Sequence, residues 1–325
     1  MNGIKITTVR KAVQLSFLLF TLYIWWKFYL FVRHFDYGTS FVPRPQSIDA
    51  FLPIGSLIAL KNLIVNGYVD PVHPAGLVIF TAILLTALIV RRGVCSWVCP
   101  VGTISEYFWR IGRKITGRNF RIGGMADLLL RSIKYLLLFF FLKVILIDMD
   151  RYAVSAFLMS PYWAVADAKL LDFWLKPGTL TIVVTSLIAL ASLFIKNFWC
   201  RYLCPYGALL GIISLISPTR VVRLPDKCNE CRACDRACPS NIEVSRKHGI
   251  NSEECIACFE CVASCPRDAL EIRLIRKINP LLYPAILLGI LFLAVIIAKA
   301  TGNWDSVLSY EDYARLIPMR HLYSH

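Results

Sequence analysis

Eight cysteines between Cys228 and Pro266 stand at fixed intervals: Cys228-x-x-Cys231-x-x-Cys234-x-x-x-Cys238-Pro239, then Cys255-x-x-Cys258-x-x-Cys261-x-x-x-Cys265-Pro266. This spacing constrains the fold more than any other feature, because each triplet must turn tightly enough for three sulfurs to converge on one small object. The doubled run is the bacterial two-cluster ferredoxin pattern, in which three thiolates grip one 4Fe-4S cube and the fourth crosses to the other. On that rule Cys228, Cys231, Cys234 and Cys265 make one ligand set, and Cys255, Cys258, Cys261 and Cys238 make the second. Zinc knuckles would need only four ligands per site in paired C-x2-C, and disulfide frameworks belong to small secreted domains.

The remaining cysteines form a second pattern. Cys95-Ser96-Trp97-Val98-Cys99-Pro100-Val101-Gly102 is echoed by Cys200-Arg201-Tyr202-Leu203-Cys204-Pro205-Tyr206-Gly207. The echo extends upstream, where Ala50-Phe51-Leu52 is matched by Ala156-Phe157-Leu158, so a parallel internal repeat is expected. C-x3-C places two thiols on one helical face or at the ends of a turn. If the repeat sets the pairs opposite each other, Cys95, Cys99, Cys200 and Cys204 supply the four thiolates of a third 4Fe-4S cluster. A redox-active dithiol, a copper site and a structural zinc compete with that reading. No catalytic acid, base or nucleophile is assigned.

Composition places these motifs in a membrane. Of 325 residues 57% are hydrophobic, and the formal charge is +15. Apolar runs at 13–32, 75–90, 128–147, 180–195 and 281–298 are each near the roughly 20 residues a helix needs to cross hydrocarbon. Lys and Arg sit beside these runs instead of forming one patch, which argues against nucleic acid as a partner and for orientation in a bilayer. Lys5, Arg10 and Lys11, and the basic segment 91–121, put the N-terminus and the C-x3-C loops in the cytoplasm. Five crossings then leave the ferredoxin segment in the cytoplasm, where thiols stay reduced, and residues 299–325 outside. The first run lacks a small-residue cleavage site and reads as a retained anchor. Segments 48–65 and 152–171 are too irregular for spans; they read as re-entrant or interfacial helices, with plain surface helices as the alternative. Thr103-x-x-Glu106 has capping-box spacing at the head of an interfacial helix.

Histidine is scarce. No span carries one at its middle, which argues against a b-type haem, and C-x-x-C-H is absent. His34 and His73, near outer span ends, are candidate proton acceptors for a quinol, against the simpler reading of wetted interfacial side chains; His321 and His325 fall in the tail and His248 in the ferredoxin segment. Lys27, Lys61, Lys134 and Lys143 interrupt apolar runs, where snorkelling is the simplest explanation. Trp25, Trp26, Trp163, Trp174 and Trp199 fit interfacial belts.

Carried by the paired C-x3-C-P elements, the two-cluster segment and the repeat, the chain resembles the membrane polyferredoxins of the NapH and NosR C-terminal type. Where such proteins often have Cys-Pro-Phe-Gly, this sequence has Leu52-Pro53-Ile54-Gly55; a fifth span and the tail also depart from the four-span type. The resemblance implies electron exchange between the quinone pool and a partner oxidoreductase. A related group implies the alternative, a cupric reductase or metal-handling or assembly factor using the C-x3-C cysteines. A redox sensor without turnover would use the same parts. The expected architecture is an all-α polytopic membrane bundle of about five spans plus a small α+β two-cluster ferredoxin-like domain. Its parts are a membrane domain at 1–217, a cytoplasmic ferredoxin domain at 218–277, and a fifth span with outer tail at 278–325, all in the cytoplasmic (inner) membrane.

Overall fold

The computed structural model describes residues 6–323; Lys5 and His325, read above as an orienting charge and a tail histidine, lie outside the described residues. Helices dominate. In chain order they are α1 (Ile6–Tyr37), α2 (Pro53–Asn66), α3 (Pro74–Val90), α4 (Val94–Trp97), α5 (Pro100–Thr116), α6 (Gly124–Leu142), α7 (Arg151–Leu158), α8 (Pro161–Ala164), α9 (Ala166–Leu175), α10 (Thr179–Phe194), α11 (Pro205–Ile213), α12 (Ala233–Ala237), α13 (Glu260–Ala263), α14 (Leu282–Ala300) and α15 (Tyr310–Leu316). Strands β1 (Arg220–Arg223), β2 (Gly249–Ile250) and β3 (Leu270–Arg273) pair antiparallel in the order β2-β1-β3.

All five apolar runs are helical, as α1, α3, α6, α10 and α14. A long apolar run in lipid satisfies its backbone groups internally only as a helix. Length and composition qualify α1, with 32 residues, and α14, with 19, as candidate membrane spans. Helices α9 and α10 qualify together but are bent by 76°. Helix α3 has 17 residues, and α6 carries Asp127, Arg131 and Lys134 near its start. The chain is therefore mostly helical with two or three candidate spans and a small sheet, where the apolar runs suggest five.

The described residues fall into two compact units. One comprises residues 6–19, Ile83–Leu138 and Thr185–Ile290 and contains all twelve cysteines. Its sheet pairs Val221 with both Ile250 and Ile272, and the period-2 alternation buries those three side chains together with Leu270. Helix α5 starts at Pro100, with the proline at the first helical position and Cys99 as cap residue. Proline suits that position because its fixed φ is helical and its missing N–H would have no partner there. Thr103 thus lies inside the helix and donates to the Cys99 carbonyl, so Thr103-x-x-Glu106 is not a capping box.

The second unit comprises Phe20–Ala82, Phe139–Val184 and residues 291–323. Its core holds Phe28, Phe31, Ile48, Ala59, Val154, Leu158 and Trp163. The two irregular segments are thus core elements rather than surface helices. They pack on each other: a Cβ on Gly55 would stand 2.0 Å from the Trp163 ring. Asn66 donates to Ser155 and to the Arg151 carbonyl. Trp163 is buried and donates to Asp70, so it is no belt residue. The tail joins the same core. A capping box at Ser309 and Asp312 opens α15, which buries Tyr313 and Leu316, with Ile317 just beyond it. Arg320 then grips Asp36 and Asp172 with two bonds each.

Candidate iron–sulfur centres

Within the ferredoxin segment the backbone repeats at a 27-residue interval. Glu230 and Arg232 flank Cys231 with φ of 58° and 53°, and Ala257 and Phe259 flank Cys258 with 49° and 57°. Asn241 and Asp268, three residues after the fourth cysteine of each run, are left-handed too. A non-glycine residue held there costs roughly 1–3 kcal/mol. Six such residues at matched places show that the two loops are bent in the same way. Ile242 N–H points to Cys238 Sγ at 3.4 Å, and Ala269 N–H to Cys265 Sγ at 3.3 Å.

Cys228, Cys231, Cys234 and Cys265 line one cavity. Cys238, Cys255, Cys258 and Cys261 line another. The crossing cysteine of each run therefore stands with the triplet of the other. Cys231 is exposed, whereas Cys238 and Cys258 are buried. Burial pushes the Cys234 thiol up to about 11 and raises the Cys258 and Cys261 thiols above their ordinary range. Thiols so shielded from water ionise readily only against a bound cation, and sulfur donors suit an iron–sulfur centre.

The C-x3-C elements share a local geometry. Cys99 N–H bonds Val94 O at 2.8 Å and Cys204 N–H bonds Trp199 O at 3.0 Å, each five residues back. That wide turn stops the preceding helix. A proline-started helix follows at once, as α5 and α11, with its first amides directed at the capping cysteine. Gly207 N–H lies 3.2 Å from Cys204 Sγ, and the amides of Val101 and Gly102 ease the charge of Cys99. Gly102 must be glycine, since a Cβ would stand 2.1 Å from the Cys95 carbonyl oxygen. The thiols are near enough to oppose one another's ionisation: burial raises Cys200 first, then Cys204, Cys99 and Cys95. Burial lifts Cys95 to about 12. Beside them Arg92 is buried, and its Nε has no hydrogen-bond partner. Four converging sulfurs, helix amides and an orphaned donor fit a sulfur-rich anionic group.

Residues between the cysteines tie the sets together. Ser96 Oγ donates to the Ile256 carbonyl at 2.6 Å and Trp97 Nε1 to the Ala257 carbonyl at 3.0 Å. Arg91 donates to the Ile250 and Ser252 carbonyls, at 3.4 and 2.6 Å. Lys134 donates to Glu254 at 2.6 Å, and Arg201 binds Asp127 and the Ser240 carbonyl. Arg10 binds Glu106 and Glu260. Burial works against the Glu106 charge, yet the bonds from Arg10 hold its carboxyl down to about 2. Read along the chain, Arg10, Arg91 and Arg92 are orienting charges and Lys134 is a snorkelling one. Their burial follows only from the polar carbonyls and carboxylates that distant segments bring to them.

The two candidate histidines lie in the second unit. His73 is enclosed, with Nδ1 on Asp49 at 2.9 Å and Nε2 on the Trp163 carbonyl at 2.9 Å. Arg44 joins Asp49, Asp167 and His73. Asp49, His73 and Asp167 have the closeness of a metal site, but the guanidinium already occupies their shared focus. His34 bonds the Thr39 carbonyl and Tyr310. Lys61 binds the Ile145, Leu146 and Met149 carbonyls, Lys143 pairs with Asp148, and Lys27 lies over the Tyr23 ring.

Apolar helices joined to cysteine sets of this geometry define a membrane-associated iron–sulfur electron-transport protein. The chain matches the 4Fe-4S binding domain family over residues 72–119 and 177–222, and the 4Fe-4S dicluster domain family over 220–266. The putative electron transport protein YccM of Escherichia coli K12 is 38% identical across 98% of this chain and 92% of its own length. Ferredoxin-type protein NapH of the same organism is 26% identical over 75% of the chain and 81% of its own. Protein NirI of Paracoccus denitrificans is 28% identical over 69% of the chain but only 33% of its own. No solved structure matches. The chain belongs to the family of membrane-associated, polyferredoxin-like electron-transport proteins that includes YccM.

Proposed function

We propose that the protein is a quinol-linked oxidoreductase subunit, exchanging electrons between the membrane quinone pool and a redox partner through three 4Fe-4S clusters. One is held by Cys228, Cys231, Cys234 and Cys265, the second by Cys238, Cys255, Cys258 and Cys261, and the third by Cys95, Cys99, Cys200 and Cys204. The observation that carries the reading is the pair of bonds from Ser96 and Trp97 to Ile256 and Ala257, which joins the C-x3-C loop to the second ferredoxin triplet. When bound, such clusters supply the one-electron carriers that two-electron quinol chemistry needs. The chain's own residues hold the sulfurs, shield them from water and leave Cys231 exposed toward a partner.

The proposal includes the five-helix crossing of an inner membrane by α1, α3, α6, α10 and α14. Residues 1–217 form the membrane domain, 218–277 the cytoplasmic ferredoxin domain, and 278–325 the last span and outer tail. The basic residues of 91–121 and the need for reduced thiols support that orientation. The names of YccM and NapH, an electron transport protein and a ferredoxin-type protein, support the activity.

The second reading is a copper-handling reductase, favoured by the same burial of four soft sulfur ligands. Metal analysis of the anaerobically purified protein separates the two. About twelve irons per chain is expected for three clusters; about eight, with copper bound in addition, would move the C-x3-C set to the second reading. Adding a soluble quinol analogue should bleach the cluster absorbance, and a failure to do so at full iron would remove the quinone link.

A further inference from the structure

One buried cation is shared by the C-x3-C set and the loop of the second ferredoxin triplet. Arg92 donates from Nη1 to the Gly207 carbonyl at 2.7 Å, in the first turn of α11 beyond Cys204. Its Nη2 reaches the Glu254 carbonyl at 3.4 Å and lies 3.7 Å from Glu254 Oε2. Glu254, next to Cys255, is also held by the fully buried Lys134. Two cations and one carboxylate leave this triad with one net positive charge, shut off from water. Within this triad Arg92 Nε is left without a hydrogen-bond partner, as are the Nε atoms of Arg10, Arg91, Arg110 and Arg131 elsewhere. A buried donor without an acceptor is costly, so its retention calls for an acceptor. Burial opposes the Arg92 charge, and Cys95, then Glu254 and Cys200, favour it. Arg10 stands in a comparable relation to Cys258 and has its own unbonded Nε, so the C-x3-C set and the second ferredoxin triplet each have a separate arginine.

We infer that Arg92 sets the reduction potential of the centre held by Cys95, Cys99, Cys200 and Cys204, giving its free N–H and its charge to the sulfurs, with Glu254 and Lys134 as positioning residues. The inference rests on the reading that these four cysteines hold a 4Fe-4S cluster. Reduction adds one electron to that centre, with no bond made or broken. A fixed cation at low dielectric favours the more negative, reduced form, and hydrogen bonds to sulfur act in the same sense. The Glu254 carboxylate opposes it. Neutralising the two residues should therefore move the potential in opposite directions, which a purely structural role would not do.

The test is an EPR-monitored redox titration, with iron analysis, of full-length protein in detergent, as wild type, Arg92→Gln, Arg92→Lys and Glu254→Gln. Arg92→Gln should keep about twelve irons and lower the midpoint of the component that Cys95→Ser removes. The expected change is at least about tenfold in the reduction equilibrium, or 59 mV for one electron. Glu254→Gln should raise that midpoint, and Arg92→Lys should fall between wild type and Arg92→Gln. Full iron with an unmoved midpoint, or shifts of one sign in both neutral variants, would overturn the role of Arg92. If Arg92→Gln fails to retain iron, Glu254→Gln decides, and an unmoved or lowered midpoint there overturns the inference. Wild-type protein with about eight irons would instead overturn the cluster reading beneath it.

Discussion

At the residue scale, burial and partner decide what each ionisable group does. Cys238 shares its cavity with Cys255, Cys258 and Cys261. Cys238→Ser should therefore abolish the spectroscopic component of that set and spare the one held with Cys265; loss of the other component would mean that each run ligates independently. For the C-x3-C set, Cys95→Ser, Cys200→Ser and the double variant should each lose the same four or so irons, because a coordination set missing one sulfur holds its occupant poorly. Single variants with full iron would defeat the third cluster. His73 presents a different case. Burial works against its charge, but Asp49, and more weakly Asp167, outweigh burial and Arg44 and raise its pKa; Asp70 also faces the ring. A raised pKa in the folded state means that protonated His73 stabilises the unit fully below the unfolded value of about 6.5, and that this is lost as pH rises through the folded value. Melting temperature in detergent should fall with rising pH above about 6.5, and His73→Gln should flatten that slope. An unchanged slope in the variant would assign the dependence to another group.

At the element scale, the repeat is a statement about how chain segments stop and start. Both C-x3-C-P elements end one helix on a wide turn and begin another on a proline, so the second cysteine becomes the cap of a new helix. Gly102→Ala pushes a methyl into the Cys95 carbonyl, an overpacking that costs roughly 1–3 kcal/mol. It should lose the same iron as Cys95→Ser, while a Gly207→Ala variant, whose Cβ meets nothing closer than 3.6 Å, should keep it. The tail is the element whose role composition hid. Arg320 is buried between two partly exposed carboxylates, and Arg320→Ala should cost roughly 2 kcal/mol, between an exposed and a buried pair. Limited proteolysis should then cut within 305–323 before any other site; protection equal to wild type would show that Tyr313, Leu316 and Ile317 hold the tail alone.

At the scale of the whole molecule, orientation is the open variable that charge speaks to. With α14 as a crossing, reporter fusions after Arg276 and after Lys299 should report opposite sides of the membrane, and one side for both would remove the fifth span. Much of the rest is legible in the order of residues. The cysteine intervals carry the grouping of the eight ferredoxin-segment sulfurs around two cavities, because convergence on a small object leaves a loop few lengths to choose from. The apolar runs carry the helices because hydrocarbon offers the backbone no other partner. These signals are local in the chain, and so the sequence by itself determined them. What only the tertiary structure decided was the second purpose of the charges. Arg10, Arg91, Arg92 and Lys134 look like membrane flanks or interruptions when read along the chain, yet their carbonyl and carboxylate partners lie 86 to 250 residues away. A buried cation is stable only where such partners converge, and which segments converge is a property of packing that no short window of residues records.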